Sequence, residues 1–298
     1  MMAWMEHRDG LLFAMATVLL LLLSTAGRGP GLSGSIALLT VGVVLFGLPH
    51  GALDPLVARR LLGTNSYAGQ LLFLVGYAFV AAIYGVVWWR SPAFGLASFL
   101  CISAFHFGTD WEQRGQLLTR CAYGLAIVTL PVVRHAAEVQ QIYGVLSPAG
   151  SDRVVLLSRL VALPAAAIAL AGALTHWQLR RRDLLDVVCI VTGALLLHPL
   201  LYFSCYFCCL HSPRHLFGTA REQGLASFGS IAKAAAPATL APVLLAALFF
   251  TRATPRTLNN GLLQIVFVGL AVLTVPHMIL HALAHRRRQP LHLSPERG

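Results

Sequence analysis

The 298-residue chain is 57% hydrophobic and only 11% charged, where a soluble domain carries about 25% charged residues. With a mean hydropathy of +0.72, that composition excludes a disordered chain, a coiled coil and an ordinary water-soluble enzyme, and leaves an all-α polytopic membrane helix bundle. The formal charge of +11 comes from 22 basic and 11 acidic residues. The arginines cluster between apolar runs as in cytoplasmic loops, so no nucleic-acid partner is expected.

A span needs about 20 apolar residues, and no alternating strand pattern competes. Apolar runs are predicted at about 10–26, 32–50, 68–89, 93–109, 116–133, 153–176, 184–197, 199–217, 236–251 and 261–281. The first run, behind Glu6 and Arg8, resembles the start of a signal peptide, but the spans that follow point to an uncleaved helix. Residues 1–31 are expected to add an N-terminal anchor to one membrane domain covering 1–298. The segment 134–152 reads as the longest polar connection. Pro199 after His198 leaves the seventh and eighth runs either separate or one kinked element, hence about nine or ten spans. Arg59-Arg60, Arg180-Arg181-Arg182, the group Arg214, Arg221 and Lys233, and Arg286-Arg287-Arg288 follow the second, sixth, eighth and last runs. If all four face the cytoplasm, ten spans with both termini inside are required, and 286–298 is a basic tail. Arg28, Arg90, Arg134, Arg153, Arg252 and Arg256 then lie outside.

Six cysteines sit in or beside apolar runs and read as small buried hydrophobes. Twelve histidines in so apolar a chain are the anomaly, because ionisable groups inside a membrane are costly and mark function. His7 and His292 belong to the tails, and His285 adjoins the arginine cluster. His176 and His198 close apolar runs singly, as snorkelling side chains do. Six others fall at the ends of even-numbered runs: His50 in Gly47-Leu-Pro-His50-Gly-Ala-Leu-Asp54, His106 in Phe105-His106-Phe-Gly-Thr-Asp110, His211 and His215, and His277 and His281. In a ten-span bundle these four places share one depth on the cytoplasmic side and can converge.

The spacing suits a metal. His211/His215 and His277/His281 are i,i+4 pairs that place two imidazoles on one helical face, and neutral imidazole ligates iron, copper or zinc. His50 and His106 are each followed four residues later by a carboxylate, Asp54 and Asp110. Such a carboxylate, one turn away, can take the second ring N–H and orient the ligand. Alternatively, Asp54 and Asp110 pair with Arg59 and Arg114. His211/His215 is the stronger pair, since His281 approaches the basic tail. Cys208 shares a face with His211 and His215, so a thiolate–histidine zinc site is conceivable. Tyr, Trp and Phe around 84–107 and 202–217 read as core or lipid-belt residues rather than a substrate tunnel.

The segments Gly47-Leu-Pro-His50-Gly-Ala-Leu-Asp54, Phe105-His106-Phe-Gly and Cys209-Leu-His211-Ser-Pro-Arg-His215 resemble the signatures of the Brp/Blh family, bacterial and archaeal membrane β-carotene 15,15′-dioxygenases. Pro131 to Ile142, with His135-Ala-Ala-Glu138-Val, and Pro276-His277 are also similar to family segments. Cys208-Cys209 departs from the pattern, where aromatic or aliphatic residues are expected. The resemblance implies an Fe(2+) enzyme of the bacterial inner membrane that cleaves the central double bond of β-carotene with O2 to give two all-trans-retinal. It implies His50, His106, His211 and His215 as iron ligands, His277 and His281 as pocket residues or an alternative ligand set, and a microbial rhodopsin as retinal acceptor. Four neutral histidines leave an octahedral iron with open positions for O2.

Two other classes use intramembrane histidines. A di-iron desaturase or hydroxylase needs about eight histidines in boxes with adjacent pairs, and this chain has no adjacent pair. A metal-cation transporter places polar residues through the bilayer midplane rather than at one level, and a haem-binding membrane protein would show a Soret band.

Overall fold

The computed structural model describes residues 9–63, 66–114, 117–175, 181–252 and 257–288. His7, Arg180, His176, Arg256, His292 and the tail from 289 lie outside them. Every regular element among the described residues is helical: α1 (Asp9–Thr25), α2 (Leu32–Gly42), α3 (Asp54–Leu62), α4 (Tyr67–Arg90), α5 (Pro92–Gly108), α6 (Leu117–Thr129), α7 (Ala136–Leu146), α8 (Ser151–Thr175), α9 (Arg181–Leu196), α10 (Pro199–Tyr206), α11 (Ser212–Glu222), α12 (Phe228–Arg252) and α13 (Leu258–Arg288). Seven spans, counting α2 through α3 as one, are long and apolar enough to cross a membrane, and two shorter apolar helices accompany them. The chain is a polytopic membrane protein, as its composition requires, since in lipid every backbone polar group must be satisfied within its own segment.

Each of the ten apolar runs corresponds to helix, but several helices continue past the histidines expected to end them. After His50 the chain resumes helix as α3, closed by Gly63 at φ 63°, a left-handed position that favours glycine. Beyond His211 it continues as α11, and beyond His277 α13 runs eleven residues further to Arg288. These extensions are amphipathic or basic, so hydropathy stops where helix does not. The fifth-to-sixth connection differs in kind: α7 fills 136–146 and buries Val139, Ile142, Tyr143 and Leu146. The seventh and eighth runs are separate elements, because His198 turns the chain (φ −53°, ψ 137°) and its Nδ1 accepts the Leu200 N–H as an N-cap.

The lipid-facing helices are α4 and α12, in each of which only 6% of the most apolar window is buried. Among the inner helices, α6 lies between α5 and α8. The approach of α5 to α6 is close enough that a Cβ at Gly124 would stand 1.7 Å from the Ala104 carbonyl oxygen. On the other side α8 offers buried Ala162, Ala165, Ala169 and Ala173. Small residues let membrane helices pack backbone to backbone, and here they hold α6 tightly against α5, the helix that carries His106. Helix α1 sits against α9 and α10, with Phe13 1% exposed and its ring edge-on to Tyr206 at 6.2 Å.

Candidate metal centre

Two π-helical turns and one 3-10 turn deliver the site. Val43–Gly47 is a π turn ahead of the single turn Leu48–Gly51, which carries His50. Phe207–His211 is a second π turn, and Thr109–Arg114 is a 3-10 turn that swings Asp110 inward beyond α5. A π turn inserts a residue into the helical ladder and is common at functional sites. Here each one redirects a histidine into the bundle.

Five imidazoles meet. The His50 ring centroid lies 6.3 Å from His106, 5.4 Å from His211, 6.2 Å from His215 and 5.4 Å from His277. His106 lies 4.6, 5.1 and 5.2 Å from His211, His215 and His277. Ligand atoms of His50, His106 and His277 all fall within 4.8 Å of one another, as do those of His106, His211 and His215. Two nitrogens about 2.1 Å from one ion sit roughly 3–4.2 Å apart, so the spread is nearly that of a shared ion. The separate places expected along the chain are thus brought together, with His277 among them. His281 stands further out, its described ring contact being His277 at 4.3 Å.

The carboxylates act across helices rather than one turn away. Asp110 accepts from His211 Nδ1 at 3.1 Å, from His215 Nε2 at 3.1 Å and from the Tyr206 hydroxyl at 2.6 Å. Asp54 accepts from His277 Nδ1 at 2.9 Å, His281 Nε2 at 3.2 Å and the Tyr77 hydroxyl at 3.0 Å. His50, expected to lean on Asp54, gives its Nδ1 to the Gly47 carbonyl instead. His106, expected to lean on Asp110, has its Nε2 3.1 Å from that of His211. The oxygens of Asp54 are occupied by the two rings and Tyr77, so it is not an arginine partner, and the Arg114 side chain lies outside the described set. Tyr77 and Tyr206 carried no sequence signal, because neither stands at a helical interval that flags its aspartate.

Hydrogen bonding assigns the protons. A ring nitrogen facing a carboxylate or carbonyl must donate, so Nδ1 of His50, His211 and His277 carries the hydrogen and Nε2 keeps its lone pair. The Nε2 of His277 is buried without a hydrogen-bond partner. An orphaned buried acceptor facing other imidazoles calls for an ion. Asp54 and Asp110 are both buried, and neither is bonded by arginine or lysine among the described residues. Two such carboxylates behind neutral rings are balanced by a dication in front of them. The donor set is therefore compatible with a metal site. The thiolate alternative is not supported: Cys208 packs on Gly42, where an added Cβ would lie 2.8 Å from its sulfur.

Aromatic rings enclose the imidazoles. Phe107 lies 4.8 Å from His211, and Phe207 lies 5.5 Å from His211 and 5.7 Å from His50. Phe203 stacks on Phe207 at 5.3 Å. Phe107, Phe203 and Tyr202, expected as core or lipid belt, also line a cavity.

A family model described as beta-carotene 15,15′-dioxygenase matches residues 41–285. The beta-carotene 15,15′-dioxygenase of an uncultured marine bacterium is 28% identical over 250 residues, which cover 80% of this chain and 90% of the relative. A probable beta-carotene 15,15′-dioxygenase Blh of Halobacterium salinarum is 26% identical over 288 residues, covering 80% and 81%. No solved structure matches the chain. The chain belongs to the beta-carotene 15,15′-dioxygenase family, as its motifs indicated, and is an enzyme. That membership sets aside the desaturase, transporter and haem-binding readings.

Proposed function

We propose that this member of the beta-carotene 15,15′-dioxygenase family cleaves the central double bond of β-carotene with O2 to two all-trans-retinal, using one iron. The ligands are His50, His106, His211 and His215, with His277 as a fifth imidazole of the same centre. The observation that carries the reading is the convergence of these rings, with Nε2 of His211 and His277 held free by Asp110 and Asp54 behind them. Fe(2+), when bound, supplies the one-electron chemistry with O2 that splitting a polyene double bond requires.

The protein's own groups do the rest. Asp110 and Asp54 hold the Nδ1 hydrogens of His211 and His277, which fixes the tautomer and keeps each Nε2 aimed at the centre. Tyr206 and Tyr77 donate to those carboxylates and fix them in turn. Phe107, Phe203 and Phe207 keep water from the rings, which protects reactive species from side reactions. A C40 polyene is insoluble in water and on the order of a bilayer core in length, about 30 Å, so it arrives laterally from lipid. The setting is the bacterial inner membrane with both termini cytoplasmic, and a microbial rhodopsin is the expected retinal acceptor. Residues 1–31 form an anchor beyond the motif-bearing part of a single membrane domain.

The test is retinal formation in a β-carotene-producing host. Cells carrying the chain accumulate retinal, and cells carrying His211→Ala do not, with iron lost from the purified variant. Full iron and full retinal in that variant would reject the site.

A further inference from the structure

Helices α5, α6, α7, α10 and α13 line a partly open cavity of about 80 Å³ beside the imidazoles. Its inner wall is Phe107 and Phe203, in contact with the aromatic layer around His211. Its outer wall includes Leu96, Ile142, Tyr143 and Leu146. The lining is almost wholly apolar. The Tyr202 hydroxyl is turned away to the Ile127 carbonyl, and that of Tyr143 bonds Ser158.

The depth is set by the helix. Leu96 at the outer wall precedes His106 on α5 by ten residues, which is about 15 Å at 1.5 Å per residue. A C40 polyene about as long as a bilayer core, about 30 Å, has half that length on each side of its central bond. On the functional reading above, on which this inference rests, a central cut needs one half of the substrate seated to that depth.

We propose that this cavity, widened by movement of its apolar side chains, holds one half of the carotene, ring end against Leu96 and α7, and that the wall there sets which double bond reaches the imidazoles. The segment from Pro131 to Ile142 thereby acquires a role. It holds no ligand, yet Pro131, Val139 and Ile142 supply part of the cavity wall. Oxidative cleavage by O2 breaks one C=C bond and places one oxygen atom on each fragment. A seat that is too shallow therefore yields one aldehyde shorter than C20 and one longer, together still C40.

The experiment purifies wild type, Ile142→Trp and Leu96→Ala with iron loaded, and assays β-carotene with product lengths resolved by chromatography. Binding is read separately, from the visible absorption of carotene retained by each protein. With Ile142→Trp, retinal formation falls at least tenfold, the order by which small changes in an apolar pocket discriminate. Unequal fragments rise and retained carotene falls, while iron content holds. Leu96→Ala, which adds no bulk, keeps the fold and loses strict central cleavage. Retinal as sole product at wild-type rates from both iron-replete variants overturns the cavity assignment and leaves the functional reading standing. If wild type itself makes no retinal, the functional reading fails.

Discussion

Two regions of the molecule repeat one arrangement. Around Asp110, His211 gives Nδ1 and His215 gives Nε2 to a single carboxylate that Tyr206 also holds; around Asp54, His277, His281 and Tyr77 do the same. The paired rings sit 4.5 Å apart at 44° in the first cluster and 4.3 Å apart at 46° in the second. Yet the reach differs. Both rings of the Asp110 cluster approach His106 and His50, whereas only His277 of the Asp54 cluster does. An i,i+4 histidine pair and its carboxylate thus specify the local geometry, and the placement of the helix decides whether one imidazole or two face the ion.

The largest expected effects compare the two inner rings. His211→Ala and His277→Ala each remove an imidazole fixed by a carboxylate, and iron in the purified proteins falls by at least about 100-fold in affinity. Stoichiometric iron and wild-type retinal formation in His277→Ala would show that the Asp54 cluster stands outside the centre. The next largest concern the carboxylates. Asp110→Asn and Asp54→Asn keep the shape but remove the charge behind the rings, and each loses about 10–100-fold in metal affinity. The loss is greater for Asp110, because it serves two inward rings. Equal losses, measured by competition with a chelator, would erase the difference in reach.

The outer rings divide the clusters most sharply for their size. His215→Ala loses iron, while His281→Ala, which leaves every inward nitrogen in place, lowers retinal formation by less than about tenfold. The smallest effects belong to the tyrosines. Tyr206→Phe and Tyr77→Phe each remove one hydrogen bond to a carboxylate that keeps its charge and its ring partners, and metal affinity falls by about a few-fold, as a typical net hydrogen bond of about 0.5–1.5 kcal/mol allows. Tyr206 carries the larger share, being fully buried against Phe13 and Phe107. Titration of iron into the apo variants orders them.

Much of this was legible in the sequence. Each of the ten apolar runs lies on helix, and the motif histidines His50, His106, His211 and His215 do meet. Asp54 and Asp110 do bond imidazoles, but not those one turn away, since spacing sees only the same helix while Asp54 reaches α13 and Asp110 reaches α10 and α11. The π turns before His50 and at His211 leave no mark in hydropathy, because one extra residue per turn alters direction and not composition. Helix α7 was hidden for the opposite reason: its polar residues Gln140 and Gln141 mask an apolar face that faces the bundle. His277 was undervalued because its pair lies beside the basic tail, where a histidine ordinarily faces headgroups.

Iron K-edge X-ray absorption of the purified, iron-loaded protein, with the metal counted per chain, tests the centre most directly. One iron per chain with a nitrogen-dominated shell and the multiple-scattering pattern of several imidazoles, diminished in His277→Ala, is the predicted result. Two irons per chain, a sulfur ligand or a shell without imidazole would contradict it.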